Sequence, residues 1–280
     1  MKKKLLRTSL FFLAIIFVSS CKKESILVDK KIVKISIHDE NNKPSDEYET
    51  TYTYDSQNRL IRTDDFRNNL PSGDFNIYDY SEVGKVKETR FIKYSNTQQR
   101  ILYELNSKNY LYKTYFTNVI NNFTVDTSKY DFIQYYDSNS RIVQNQFPIK
   151  KDTFRTFSFS YDDNGNNAQS EYIEVFFNGK ISGVSSYASE FNLSIKNTVD
   201  YNYQGLDFFG KTNVNPCTKQ ILTSTGIENG ITKISKVVTE NSYELDSDGY
   251  ISKKITTNTS QLYGSNNKTV TTRTTTYQYN

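Results

Sequence analysis

The chain is organised by a short pattern that is clearest in Tyr52-Thr53-Tyr54-Asp55-Ser56-Gln57-Asn58-Arg59-Leu60. Aromatic and polar residues alternate up to Asp55, which is typical of a β-strand with one packed face. Asp55 is suited to cap a turn through its own carboxylate, and Asn58 tolerates the positive φ that a tight turn requires. Leu60 then begins a returning strand, so the pattern predicts a β-hairpin.

Copies of this pattern recur along the chain. They lie at 78–86, 103–111, 135–142, 159–165 and 243–251, and the chain ends on Tyr277-Gln278-Tyr279-Asn280, an entry strand with no turn after it. Ser140 stands where the other copies have Gly or Asn, so its turn is expected to be weaker. Because one hairpin is marginal alone, the copies are expected to pair side by side. The sequence therefore predicts an all-β fold: a large curved antiparallel sheet or open half-barrel of about six repeated hairpins and about twelve strands.

The interval between Gly165 and Tyr243 departs from the pattern and predicts one long irregular insertion. Four apolar residues recur there every fourth position, which favours either one short helix or an irregular crossing segment. They are Tyr187, Phe191, Ile195 and Val199. The stretch 207–217 is rich in turn-forming residues and reads as a loop across the sheet. Phe208 and Phe209 within it are the candidate lid over a bound ligand.

The first residues predict export and lipid attachment. A basic head is followed by the apolar run Leu10 to Val18 and then by Val18-Ser19-Ser20-Cys21. That order is typical of a signal peptide whose cleavage frees a cysteine for lipidation. Residues 1–20 are therefore predicted to be the signal, 21–31 a tether attached through Cys21, and 32–280 a single antiparallel β domain.

The net charge of the chain falls when the predicted signal is removed. The whole chain has 35 Lys and Arg against 31 Asp and Glu, and residues 1–20 hold four of the basic side chains. The remainder has 35 − 4 = 31 basic against 31 acidic side chains, a formal charge of zero. Such a balance offers no long-range attraction to a polyanion, so no nucleic-acid partner is expected.

The repeats also carry a resemblance. Tyr52-Thr53-Tyr54-Asp55…Arg59-Leu60 and Tyr135-Tyr136-Asp137…Arg141-Ile142 resemble the YD repeats of secreted shell-forming proteins. The lipid-attachment motif, Asn215-Pro216 in the insertion and the copy at 243–251 together resemble a family of Bacteroidota lipoproteins of unknown function. That resemblance implies a large curved, porin-like antiparallel sheet and brings no activity with it.

Few residues offer reactive chemistry. His38 is the one histidine of the chain, and Cys217 would be a lone thiol once Cys21 carries lipid. Nucleophilic triads and zinc or redox-metal sites need more such residues, so no catalytic set and no cofactor are predicted. Cys217 is expected to be buried and inert.

Carboxylates remain as candidates. Asp64-Asp65 would point to opposite faces of a strand, which argues against a joint catalytic role. Asp162, Asp246 and Asp248 are weak candidates for a calcium site, against the simpler interpretation that they cap turns.

The leading functional prediction is a lipid-anchored, non-enzymatic envelope protein that binds an apolar or glycan ligand, or a protein partner, through its sheet. The residue after Cys21 is Lys22 rather than an acid, which favours the outer membrane, and the protein is expected to be a monomer. The alternative is a purely structural surface lipoprotein without a ligand. A carboxylate-based hydrolase is the third prediction.

Overall fold

A computed structural model describes residues 30–40, 47–93, 95, 97–119, 131–150, 153–175, 181–211, 213–228, 231–261 and 267–280. The predicted signal, the lipid-attachment residue Cys21 and the tether up to residue 29 lie outside these ranges. No helix in the part of the chain that the structure describes is long and apolar enough to cross a membrane.

Sixteen strands run through the described residues, with one short 3₁₀ turn between the twelfth and thirteenth. The strands are β1 (Ile32–Asp39), β2 (Glu47–Tyr54), β3 (Leu60–Arg67), β4 (Leu70–Asp79), β5 (Lys85–Ile92), β6 (Thr97–Leu105), β7 (Leu111–Val119), β8 (Phe132–Tyr136), β9 (Ile142–Lys150), β10 (Thr153–Tyr161), β11 (Asn167–Val175), β12 (Ile181–Phe191), β13 (Cys217–Glu228), β14 (Ile231–Leu245), β15 (Ile251–Gln261) and β16 (Lys268–Tyr279).

Each strand pairs antiparallel with its neighbours in sequence, and β1 pairs with β16, so the sheet closes into a barrel. The all-β antiparallel prediction is confirmed. The open half-barrel or curved sheet is wrong, and so is the count of about twelve strands. The extra strands come from two places, the supposed gap after Gly165 and the two ends of the chain.

The repeat turns form as predicted. Asp55 accepts hydrogen bonds at Oδ1 from the backbone N–H groups of Gln57 and Arg59, both at 2.9 Å. Each copy places a positive-φ residue at the fourth turn position, and these are Asn58, Gly84, Asn109, Ser140, Gly165 and Gly249. Ser140 adopts this conformation at φ 66° without the freedom of glycine.

A β-bulge recurs at the start of most returning strands, β5 being the exception. Tyr54 pairs with Leu60 but Thr53 pairs with Arg62, so Ile61 is an extra residue. The same shift occurs beside five other turns, in the pairs β6–β7, β8–β9, β10–β11, β12–β13 and β14–β15. Bulges increase the twist and bend the strand. Their repetition at one end of the sheet gives a physical reason why it curls into a closed wall.

The unpaired entry strand at the C-terminus finds its return strand at the N-terminus. Tyr279 pairs with Ile32 while Gln278 pairs with Lys34, which is the bulge of the other units. Lys31 donates its N–H to Asn280 Oδ1 at 2.8 Å, and Asn280 donates its N–H to the Lys31 carbonyl at 3.1 Å. Asn280 therefore occupies the place of Asp55, and the two ends of the chain together make an eighth unit that closes the barrel.

The long insertion replaces the turn of the hairpin formed by β12 and β13. Asn192 accepts the Ser194 N–H at Oδ1, as a repeat turn would, but the chain does not return until Cys217, which pairs with Phe191. No α-helix forms among the described residues of this insertion, and the irregular crossing segment is the correct alternative. Tyr187 and Phe191 lie on β12, and Ile195 and Val199 lie in the segment between β12 and β13. We call residues 192–211 and 213–216 the cap segment.

Candidate functional site

The cap segment lies across the barrel end that holds the repeat turns. The cap segment hydrogen-bonds to residues at several points around the ring of strands. A segment with contacts on different sides of the ring must cross the lumen. The backbone contacts are Ile32 N–H to the Tyr203 carbonyl at 2.8 Å, Leu60 N–H to the Gly205 carbonyl at 3.2 Å, and Lys211 N–H to the Ser140 carbonyl at 3.2 Å. On β15, which is separated from β1 only by β16, Ile251 donates its N–H to Thr198 Oγ1 at 2.9 Å. This end of the barrel is therefore the capped end.

Gly205 permits the closest approach of the cap to the wall. Its φ is +69°, and a Cβ there would lie 2.8 Å from the Asn58 carbonyl oxygen and 2.8 Å from the Leu60 nitrogen. A side chain would meet backbone atoms that cannot move aside. This glycine fixes how deeply the cap sits against β3.

The candidate lid residues lie at the base of the lumen. Phe208 is buried, and its ring centroid lies 5.3 Å from that of Tyr103 and 4.5 Å from that of Phe209. Phe208 and Leu206 join the first residues of several returning strands in one apolar cluster. The strand residues of this cluster are Leu60, Val86, Ile101, Tyr103 and Leu111. The two phenylalanines therefore close the turn end of the barrel.

The contacts of the cap also show which strand face lines the lumen. Tyr103 and Tyr136 meet the cap, so side chains in phase with them point inward. The inward face carries a layer of half-buried or buried tyrosines, and burial raises the pKa of Tyr161 and Tyr277 to about 12. Within this layer Glu88 is 1% exposed and accepts hydrogen bonds from Tyr78 and Tyr103, besides pairing with Arg90 at 2.6 Å. The aromatic stripes of the sequence are thus mainly luminal packing.

The outward face carries ion pairs. Lys34 pairs with Glu49 across β1 and β2 at 2.5 Å, and Arg62 pairs with Asp64 on β3 at 2.5 Å. Both pairs lie in the middle of their strands, and their side chains point to the face of the sheet opposite the luminal tyrosines. A lipid-facing barrel wall instead carries an apolar band about 25 Å tall. Charged pairs in mid-strand are typical of a wall that faces water.

A cavity of about 830 Å³ opens toward the end opposite the cap. It is lined by side chains of β1 to β4 and β16, among them Asp39, Tyr48, Asp65, Arg67, Asp74 and Arg273. Its volume falls within the range of small-molecule sites. Its lining combines both signs of charge and hydroxyl groups with the apolar surfaces of Ile37, Tyr48 and Phe66.

Hydrogen bonds fix the acidic side of this cavity. Thr50 donates to Asp65 Oδ1 at 2.7 Å, and Ser72 donates to the Asp65 carbonyl at 2.8 Å. The Ser72 hydroxyl in turn accepts the Asp74 N–H at 3.0 Å. Burial raises the pKa of Asp65, and the neighbouring carboxylates of Asp74 and Asp64 add to this, against the lowering effect of Thr50.

The basic side of the cavity is held by aromatic and acidic neighbours. The Arg67 guanidinium lies 5.2 Å from the centre of the Tyr48 ring. Arg273 approaches Asp39 with Nη2 and Oδ2 3.9 Å apart. These groups present donors and acceptors in fixed directions around the opening.

The sequence did not identify this cavity. The prediction that Asp64 and Asp65 point to opposite faces is confirmed, since Asp64 lies outside against Arg62 and Asp65 lies inside. The signal that could have found the cavity is the run of inward polar residues Thr63, Asp65 and Arg67 on β3, where other strands carry aromatics.

Two of the three calcium candidates, Asp162 and Asp246, cap turns. Asp246 Oδ1 accepts the N–H groups of Asp248 and Tyr250 at 2.9 Å each, and Asp162 Oδ1 accepts the Asn166 N–H at 2.8 Å. Asp248 pairs with Lys30 at 2.5 Å. In the described ranges no three His, Cys, Asp or Glu side chains converge.

The two reactive residues singled out in the sequence lie on strands. His38 is in β1. Cys217 begins β13 at the position that Leu60 holds in the first copy, and it donates its thiol to the Lys219 carbonyl at 3.2 Å. Cys217 is half-buried rather than fully buried as predicted, and this partial burial raises the pKa of its thiol.

The arrangement defines a class: a sixteen-stranded antiparallel barrel, capped at one end, with a polar cavity toward the other. Its fold is similar to that of a porin-like protein from Bacteroides uniformis, with a TM-score of 0.55 and 13% sequence identity. The similarity covers 89% of this chain and 96% of that chain. No protein-family model matches the sequence. No curated protein matches it.

Proposed function

We propose that this protein is a lipid-anchored, non-enzymatic barrel of the outer membrane that binds a hydroxyl-rich ligand, of the glycan class, in the cavity toward the open end of its lumen. The observation that carries this proposal is the cavity of about 830 Å³ with Asp65, Asp74, Arg67 and Arg273 in its lining. Between the apolar and glycan ligands that the sequence left open, charged side chains set beside aromatic surface favour the glycan.

The chemistry of a glycan suits this lining. Adjacent sugar hydroxyls act as paired donors and acceptors, which carboxylates and guanidinium groups bind in bidentate fashion. Tyr48, which is 45% exposed, offers an aromatic face to the apolar side of a sugar ring. Phe208 and Phe209 contribute by closing the base of the lumen, at a distance from the ligand.

The location rests on two supports. Cys21 within its lipid-attachment motif supplies the anchor, and the similarity of the fold to a porin-like protein from Bacteroides uniformis supports an envelope protein. The charged pairs Lys34–Glu49 and Arg62–Asp64 favour a barrel that stands in water beside the membrane. A tethered barrel of this kind needs no apolar band on its wall.

Glycan-array screening followed by titration calorimetry of residues 22–280 tests the proposal. Arg67→Ala and Asp65→Asn are each expected to weaken binding about tenfold, because a hydrogen bond to a charged group contributes roughly 1.5–3 kcal/mol. Arg62→Ala is the matched control, since it removes an arginine from the same strand on the outward face. Equal loss in all three variants, or binding of apolar ligands alone, would contradict the assignment.

The hydrolase prediction has one observation in its favour. Asp65 is a carboxyl group with a raised pKa beside a second carboxylate, Asp74, in a cavity. That is the environment of a general acid in glycoside hydrolysis. Release of reducing sugar from a bound glycan, abolished by Asp65→Asn, would move the assignment from a binding protein to an enzyme.

A further inference from the structure

We propose that the capped end of the barrel faces the membrane and that the mouth of the lumen faces away from it, so that the ligand enters from the aqueous side. This inference rests on the proposed lipid anchor at Cys21. It adds a direction to the proposed binding site and identifies the turn-bearing end as the surface that meets the lipid headgroups.

The first argument is where the chain enters the barrel. The Lys30 ammonium pairs with Asp248 at 2.5 Å, in the turn that joins β14 to β15. Lys31 is 5% exposed, and its ammonium donates to the Asn202 carbonyl in the cap at 2.5 Å. Both residues are therefore fixed at the capped end, in addition to the closing contact between Lys31 and Asn280.

The second argument is the length of the tether. Nine residue steps separate Cys21 from Lys30. Even fully extended, they span at most about 32 Å, at roughly 3.5 Å per residue. Lys30 can therefore lie no further than this from the lipid headgroups.

The third argument is the height of the wall. β14 has 15 residues and reaches from the turn-bearing end to the opposite rim. At about 3.3 Å per residue and a tilt of about 40°, it rises roughly 35–40 Å along the barrel axis. With the mouth against the membrane, Lys30 would stand that far from the headgroups, beyond the reach of the tether. With the capped end against the membrane, Lys30 lies beside the headgroups and the tether need not be extended.

The test compares two labelled positions on the lipidated full-length protein in vesicles. Val83 is 99% exposed in a turn at the capped end, and Leu70 is 70% exposed at the other end. Val83→Cys and Leu70→Cys are made in a Cys217→Ser background, and each carries one fluorophore. The vesicles contain phosphatidylethanolamine, phosphatidylglycerol and a lipid with a nitroxide on its headgroup.

Quenching several times stronger at position 83 than at position 70 is the expected result. Equal quenching, or stronger quenching at position 70, would overturn the orientation while leaving the anchor intact. Absence of lipid on Cys21 by mass spectrometry would instead refute the anchor of the proposed function, and the orientation with it. Glycan binding by residues 22–280 is measured separately and is not affected by either result.

Two matched variants make the test sharper. Cys21→Ser removes the anchor and is expected to abolish quenching at both positions. Insertion of about 30 Gly and Ser residues after Glu24 adds a flexible span of roughly 30 Å r.m.s. and allows the barrel to turn over. The ratio of quenching at the two positions should then fall toward one. A ratio unchanged by the insertion would show that the tether length does not set the orientation.

Discussion

Joining the two ends of the chain should stabilise the barrel strongly, because the ends already form a turn-like unit. The perturbation is backbone cyclisation of residues 31–280 through a three-residue Ser-Gln-Gly linker between Asn280 and Lys31. This linker copies the turn that follows Asp55, whose place Asn280 takes in the closing unit.

The magnitude follows from the loop that folding must close. In the linear chain, the pairing of β1 with β16 closes a loop of 250 residues, from Lys31 to Asn280. The entropic cost of closure is about (3/2)RT ln n, or about 4.9 kcal/mol for that loop and about 1 kcal/mol for a three-residue turn. Cyclisation is therefore expected to raise the free energy of unfolding by about 4 kcal/mol, and the melting temperature by roughly 8–16 °C.

The assay is urea and thermal denaturation of the cyclic protein beside a linear chain of the same sequence. A cyclic form with a twelve-residue Gly/Ser linker is the control, and it should gain about 1.2 kcal/mol less, because closure depends only on the logarithm of length. If the three-residue linker destabilises the barrel while the longer one stabilises it, the ends do not lie in turn geometry. The eighth unit would then be refuted.

Three further changes probe the cap, a turn and the cavity. Phe208→Ala is expected to cost about 3–5 kcal/mol in urea denaturation because the ring is buried, whereas Val214→Ala in the same segment, at 52% exposure, should cost little; equal effects would show that the cap is not part of the core. Ser140→Asn should raise the free energy of unfolding by about 0.5 kcal/mol, since asparagine tolerates the positive φ better than serine. A loss of stability there would contradict the turn assignment. Asp65 has a pKa raised by burial, so the folded state binds its proton more tightly, and stability is lost as pH rises above the ordinary value of 3.8. The stability of Asp65→Asn relative to wild type should therefore increase from pH 4 to pH 7, and a flat difference would show that the carboxyl group is not desolvated.

The local structure was readable from single residues. Asp55, Asn58 and Leu60 predict a turn and a returning strand from contacts within nine residues, and short-range contacts depend little on the rest of the chain. The same holds for the turns after Asn106 and Asp246. Ser140 is the exception, because serine is unfavourable at positive φ and yet the turn forms there.

The cavity was not readable in this way. Asp65 and Arg67 are ordinary polar residues of a strand until the barrel places Asp39 and Arg273 beside them. Those two residues are more than 230 positions apart, and they meet because β1 pairs with β16. Alternation along β3 predicts that Asp65 and Asp64 face opposite ways, but it does not predict which face is the lumen.

The hairpin unit, its turn and the all-β character follow from the sequence alone, because strand alternation and turn chemistry act over a few residues. The sequence also shows an entry strand ending at Asn280, but this pattern does not identify its partner. The tertiary fold pairs this strand with β1, closes the sheet and carries the segment after Asn192 across the lumen. The physical reason is that closure depends on the summed twist of all sixteen strands and on contacts between residues distant in sequence, which no local pattern encodes.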